Sequence, residues 1–192
     1  MFRGGYDPIA QPISALAVGP RGWVQTLNFA LLAVSFFSFA VVLRSRLRQG
    51  AASFAAPALF VLMTTGVLVA ATFPMDGTGA APTITGRLHT VGGMLVFPWI
   101  PVVLLLLARR FGRDTEWRST FKPTLVVGSW CLAAMVFFLL FVGPPSAPPR
   151  LASELRGLVQ RSILFPFYTW IAFVVRHAYS KVQKSTWDAA RA

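Results

Sequence analysis

Charged residues are scarce in this chain. They make up 12% of its 192 residues, whereas hydrophobic residues make up 55% and the mean hydropathy is +0.62. A soluble domain usually carries about a quarter charged residues, and here the apolar residues stand in long runs instead of at amphipathic spacing. This composition excludes an ordinary soluble domain. It predicts an all-α integral membrane protein.

Cysteine and histidine are also rare. Cys131 is the only cysteine, which excludes an intrachain disulfide and a cysteine-based metal site. The two histidines, His89 and His177, fall at opposite ends of predicted spans, so about 30 Å of bilayer keeps them from sharing a haem. A His/Met haem site through Met75 or Met94 is the remaining option. The sequence therefore predicts no cofactor and no metal site.

Acidic residues are few as well. Six Asp and Glu stand against eighteen Lys and Arg, and the formal net charge is +12. In a hydrophobic chain such an excess indicates loops that face anionic lipid. A nucleic-acid partner is not expected, because no basic stripe is interleaved with aromatic residues outside the loops. The expected partner is the lipid bilayer, with a lipid or a small molecule as a further ligand.

Long apolar runs divide the chain into about five transmembrane helices. A span needs about 20 apolar residues, so 192 residues make one membrane domain with no room for a globular head. The predicted spans cover about 23–43, 53–73, 88–107, 124–142 and 157–175. Residues 1–22 are predicted to lie at the outer surface, and residues 176–192 to form a cytoplasmic tail.

The basic residues are unevenly divided between the two ends of the spans. Twelve lie at one set of ends: Arg44, Arg46, Arg48, Arg109, Arg110, Arg113, Arg118, Lys122, Arg176, Lys181, Lys184 and Arg191. Six lie at the other: Arg3, Arg21, Arg87, Arg150, Arg156 and Arg161. The richer side of a membrane protein is usually cytoplasmic. This predicts an outside N-terminus and a cytoplasmic C-terminus.

Three prolines fall inside predicted spans beyond the first turn. Pro98 and Pro101 lie in the third span and Pro166 lies in the fifth. A proline in a helix removes one backbone donor and frees a carbonyl about four residues earlier, which for Pro166 is the carbonyl of Ser162. Such a carbonyl must find another donor inside a membrane. We therefore expect neighbouring helices or water to satisfy it.

Polar residues that could carry chemistry cluster at the predicted outer ends. These are Asp7, Asp76, His89, Gln160 and Arg161. In one interpretation they line a pocket where Arg161 pairs with a carboxylate and His89 titrates near neutral pH. His89 and Asp76 would then be catalytic, and Arg161, Asp7 and Gln160 would bind a ligand. In the other, Asp76 caps the third helix or its loop, Arg161 snorkels and His89 is interfacial.

Several short segments carry a resemblance to a known family. They are Gly5-Tyr6-Asp7-Pro8, Ile13-Ser14-Ala15-Leu16, Phe73-Pro74-Met75-Asp76, Leu88-His89 and Gly157-Leu158-Val159-Gln160-Arg161. Together they resemble the bacterial domain of unknown function 998 family. The resemblance implies a small polytopic protein of the bacterial inner membrane with no established reaction. Relatives usually have six spans, one of them before the Tyr-Asp-Pro segment, so we expect either an upstream helix in the gene or a five-span variant.

Three functions fit these observations. The first is a membrane protein of interaction or sensing type whose outer polar cluster binds a lipid headgroup or a loop of a partner. The second is a membrane-embedded hydrolase or transferase that uses His89 and Asp76, with Arg161 as an anion clamp. The third is a small-molecule permease. The geometry of the cluster discriminates between the first two.

Overall fold

The computed structural model describes residues 5–77, 80–143, 148 and 150–191, and for residues 182 and 184–191 it describes the backbone alone. Within these ranges the chain is helical and has no strand. The α-helices are α1 (Gly22–Arg46), α2 (Ala52–Thr72), α3 (Ile84–Met94), α4 (Trp99–Phe111), α5 (Arg118–Phe137) and α6 (Arg156–Arg191). Short 3-10 turns cover Ile13–Ala17 and Ser153–Leu155, and a π-helical turn, Phe138–Val142, extends α5.

Five helical stretches among the described residues are long and apolar enough to cross a membrane. They are Gly22–Arg46, Ala52–Thr72, Ile84–Phe111, Arg118–Val142 and Ser153–Lys181. The predicted fold class, an all-α bundle of about five transmembrane helices, is confirmed. The final helix is longer than a span, since its 36 residues extend about 54 Å at the usual rise per residue.

The two ends of the bundle are built from different segments. What we call the N-terminal end comprises residues 5–21, the described parts of the loop between α2 and α3, and residues 150–155. The arginine-rich end comprises the α1–α2 connection (residues 47–51) and the α4–α5 connection (residues 112–117). Arg3, which entered the charge balance, lies outside the described residues.

Aromatic side chains form the centre of the bundle. Phe36 of α1, Phe60 of α2 and Phe167 of α6 are fully buried, and the ring of Phe36 lies 5.8 Å from each of the other two. Helices α2 and α3 approach closely at Gly66 and Gly92, where an added Cβ would lie 2.6 or 2.7 Å from the other glycine's carbonyl oxygen. Small residues at such crossings are typical of membrane helices.

Prolines in the spans act as expected. Helix α3 ends at Met94 and α4 begins at Trp99, directly after Pro98, so the third span is broken by a turn. Pro166 leaves α6 continuous. The indole of Trp130 in α5 donates a hydrogen bond of 2.7 Å to the carbonyl oxygen of Ser162, the group that Pro166 frees. A neighbouring helix thus satisfies this carbonyl.

Candidate functional site

The N-terminal segment, residues 5–18, packs against the start of helix α6. The amide of Leu158 donates to the carbonyl of Ile9 at 2.9 Å, and the amide of Ile13 donates to Gln160 Oε1 at 2.6 Å. The first amides of a helix have no partner within the helix, so the segment satisfies one of them. Gly157 allows the approach, since an added Cβ would lie 2.2 Å from the carbonyl oxygen of Gln11.

Arg161 is the centre of this contact. Its Nη1 donates to the carbonyl oxygens of Pro8 at 2.6 Å, Gln11 at 3.2 Å and Gly157 at 2.9 Å. Its Nη2 donates to the hydroxyl of Tyr6, whose ring centroid lies 5.7 Å from the guanidinium carbon. All four acceptors are neutral. Among the described residues the ion pair is Arg110–Asp114, so no described carboxylate neutralises Arg161.

Asp7 is close in sequence to this network but turns toward its own backbone. Its Oδ1 accepts hydrogen bonds from the amides of Ile9 at 2.8 Å and Ala10 at 3.3 Å. This is the local pattern by which aspartate stabilises a turn. Asp7 therefore shapes the segment that carries the Pro8 carbonyl.

Asp76 stabilises the start of α3. Its carboxylate accepts from the Thr83 hydroxyl at 2.6 Å and the Thr83 amide at 3.1 Å. Thr83 is the N-cap, and its Oγ1 accepts from the amide of Gly86 at 3.1 Å. The hydrogen bonds from Thr83 hold the pKa of the Asp76 carboxyl below its usual value, and the nearby charges of Arg87 and His89 act in the same direction. Asp76 is therefore an ionised capping group.

His89 joins α3 to the end of α2. Its Nδ1 lies 2.9 Å from the carbonyl oxygen of Phe73. A carbonyl only accepts, so Nδ1 carries a proton in this contact. The ring also lies 6.3 Å from that of Phe29 in α1.

These residues belong to separate hydrogen-bond networks at one end of the bundle. One joins Tyr6, Gln160 and Arg161 through the backbone of residues 5–18. Asp76 forms another with Thr83, while His89 contacts the Phe73 carbonyl. Ser14 Oγ donates a hydrogen bond of 3.2 Å to Met75 Sδ where residues 5–18 meet the loop after α2. The hydrogen bonds of the described residues thus join Arg161 to neither Asp76 nor His89.

Sequence reasoning missed three residues that complete the networks. Thr83 could have been found, since a threonine before an apolar helix is a typical N-cap. Tyr6 and Gly157 were noted within the family segments, but a single sequence gives no signal that they meet in space. Their roles depend on the tertiary contact between residues 5–18 and α6.

A family model described as a protein of unknown function (DUF998) matches residues 1–177. The chain belongs to the DUF998 family. The segments on which the resemblance was noted supply most of the contacts just described. Comparison with the curated proteins and with the solved structures gave no match.

Proposed function

We propose that this DUF998 protein binds phospholipid headgroups at its N-terminal end, and that Arg161 holds the headgroup phosphate. The observation that carries the proposal is the unneutralised charge of Arg161. A cation at the edge of a membrane is costly unless it is paired or hydrated. The phosphate of a neighbouring lipid is an anion available at that depth.

The hydrogen bonds of Arg161 support a bidentate contact with phosphate. A guanidinium has five N–H donors in a fixed fork. Its Nη1 is used by backbone carbonyls, and Nη2 has one bond to Tyr6. The N–H of Nε and the second N–H of Nη2 donate to no described residue. In a guanidinium, Nε–H and one N–H of Nη2 point to the same side, which suits two oxygens of one phosphate.

The position of Arg161 along α6 agrees with a headgroup. It lies five residues after Arg156, the first residue of the helix, which is about 8 Å along the axis. That distance is about the thickness of one interfacial layer, so a helix that begins at the membrane surface places Arg161 near the boundary between headgroups and hydrocarbon. Residues 5–18 hold the guanidinium at this depth by hydrogen bonds, so that it faces the headgroups and does not extend into water.

Binding has more support than catalysis at this end. Asp76, the predicted acid or base, accepts two hydrogen bonds from Thr83, and its lowered pKa leaves it without a proton to donate as an acid. Arg161, the proposed anion clamp, belongs to the other network. A hydrolase or transferase would need these groups around one reacting bond. Binding of a headgroup phosphate requires Arg161 alone.

The test is the affinity of the purified protein for phosphatidylglycerol, measured by native mass spectrometry. Arg161→Gln removes the fork and is expected to weaken binding about tenfold or more. Arg87→Gln is the matched control, because Arg87 is an exposed arginine of the same end. Equal affinities for the two variants would contradict the proposal.

The orientation of the protein is part of the same proposal. The lower number of basic residues at the N-terminal end favours its facing outside the bacterial inner membrane. A membrane-impermeant maleimide should then label a cysteine placed at Gly77 in intact cells and spare one placed at Gly50. Labelling of the cysteine at position 50 alone would show that the protein has the opposite orientation.

A further inference from the structure

A cleft lies at the opposite, arginine-rich end, between the end of α1 and the α4–α5 connection. It has a volume of about 370 Å³ and is lined by Ser45, Arg46, Arg48, Gln49, Arg110, Asp114 and Glu116. A second cleft of about 480 Å³ shares Gln49, Arg110 and Asp114 with it and extends toward Arg113. The two clefts therefore adjoin.

Polar contacts and buried apolar side chains hold the two connections that line the cleft. Arg110 pairs with Asp114 at 2.7 Å, and its Nε donates to the Gln49 carbonyl at 3.3 Å, which joins the two connections. Leu47 is fully buried in the bundle, as is Phe111, whose ring stacks on Trp117 at 5.0 Å. These apolar anchors hold both connections against the helices.

Three charged side chains of the cleft take no part in the contacts of Arg110 with Asp114 and Gln49. The side chains of Arg46 and Arg48 are exposed and form neither an ion pair nor a hydrogen bond with any other residue that the structure describes. The carboxylate of Glu116 is likewise unbonded within the described ranges. With Arg110 and Asp114 neutralising each other, the first cleft presents two cationic groups and one anionic group, and Arg113 adds a cation in the second.

An apolar stripe leads from the middle of the bundle to this cleft. Val34, Phe37 and Val41 of α1 are 64%, 54% and 54% exposed, and their spacing places them on one face with Ser45. The 25 residues of α1 extend about 37 Å, so Ser45 lies at headgroup depth. An acyl chain on the stripe would place its phosphate beside the cleft.

We propose that this cleft binds an amine-bearing phospholipid, with the phosphate at Arg46 and Arg48 and the ammonium at Glu116. The arrangement of charges selects the ligand. Two guanidinium groups suit the oxygens of a phosphodiester. The carboxylate favours a protonated primary amine over the uncharged hydroxyls of a glycerol headgroup. This site is separate from Arg161 and does not depend on the headgroup proposal made for it.

The test compares dissociation constants of phosphatidylethanolamine and phosphatidylglycerol for the full chain in detergent, by native mass spectrometry. The measurements use an Arg161→Gln background, so that the other end does not contribute. Replacing Arg46 and Arg48 together by Gln should weaken binding of phosphatidylethanolamine about tenfold. The control replaces Arg44 and Arg109 by Gln. These exposed residues of the same end lie outside the lining, and their loss should change affinity less than about twofold.

Glu116→Gln tests the amine. It should abolish the preference for phosphatidylethanolamine over phosphatidylglycerol while leaving the thermal melting of the protein unchanged. Equal losses in the double variant and its control, an unaltered preference in Glu116→Gln, or complete displacement of the lipid by inorganic phosphate would each overturn the proposal. As a check independent of variants, a photoreactive phosphatidylethanolamine should cross-link to residues 45–50 or 110–116 of the wild-type chain.

Discussion

Replacing Gly157 by alanine puts a methyl group into the contact between the N-terminal segment and helix α6. The added Cβ would lie 2.2 Å from the carbonyl oxygen of Gln11, 2.5 Å from that of Pro8 and 2.9 Å from Arg161 Nη1. Normal contacts require about 1 Å more than the shortest of these. The backbone of the segment must therefore move away from α6.

The size of the effect follows from the bonds that this movement breaks. Arg161 donates to Pro8 at 2.6 Å and to Gln11 at 3.2 Å. A hydrogen bond to a charged group contributes about 1.5–3 kcal/mol, and partial exposure reduces that figure. The net loss of docking free energy should be about 2 kcal/mol.

Amide hydrogen exchange measures this loss directly. The Leu158 amide donates to the Ile9 carbonyl, and as a first-turn amide it has no partner within α6. A loss of about 2 kcal/mol should accelerate its exchange about 30-fold. Gly77→Ala is the control, because nothing lies within 4 Å of a Cβ there. If exchange at Leu158 were the same in both variants, the segment would not be held as described.

Three other predictions concern the rest of the bundle. In Gly86→Ala the Cβ would lie 1.9 Å from Asp76 Oδ2, so the carboxylate must leave Thr83, and hydrogen exchange should show faster fraying at the start of α3. Asp76→Asn should lower the melting temperature at neutral pH. The pKa of Asp76 is lower in the folded protein than its ordinary value of 3.8. The difference in melting temperature should therefore persist above about pH 4 and disappear as the pH falls through the pKa of the folded protein. Trp170→Phe removes the buried 2.8 Å hydrogen bond to Thr124 and should cost about 0.6 kcal/mol of unfolding free energy in detergent titration, whereas no loss would mean that this bond is not formed.

The fold class was predictable because membrane insertion imposes a simple pattern. Long apolar runs ending in arginine, as at Arg44 and Arg109, reveal spans without any knowledge of packing. The break at Pro98 and the freed carbonyl of Ser162 were also predictable, since proline acts through local backbone chemistry. The donor that satisfies Ser162 was not predictable. Trp130 lies on another helix, and its partner depends on how α5 and α6 pack.

The candidate site was predictable as a set of residues but not as an arrangement. Charge and position in the spans identified Asp76, His89 and Arg161. They could not indicate that Asp76 binds Thr83 seven residues later, or that Arg161 binds carbonyls of Pro8 and Gln11. Backbone acceptors are present at every residue, so sequence carries no signal for which carbonyl an arginine will contact.

The most direct measurement for the central proposal is a map of lipid contacts on the unmodified protein. Nanodiscs containing phosphatidylglycerol with a photoreactive group near the phosphate would be irradiated, and cross-linked peptides identified by mass spectrometry. If Arg161 holds a headgroup, cross-links should concentrate on residues 6–12 and 157–165 and decline in Arg161→Gln. Cross-links distributed evenly along the exposed helix faces, with no change in that variant, would contradict the account.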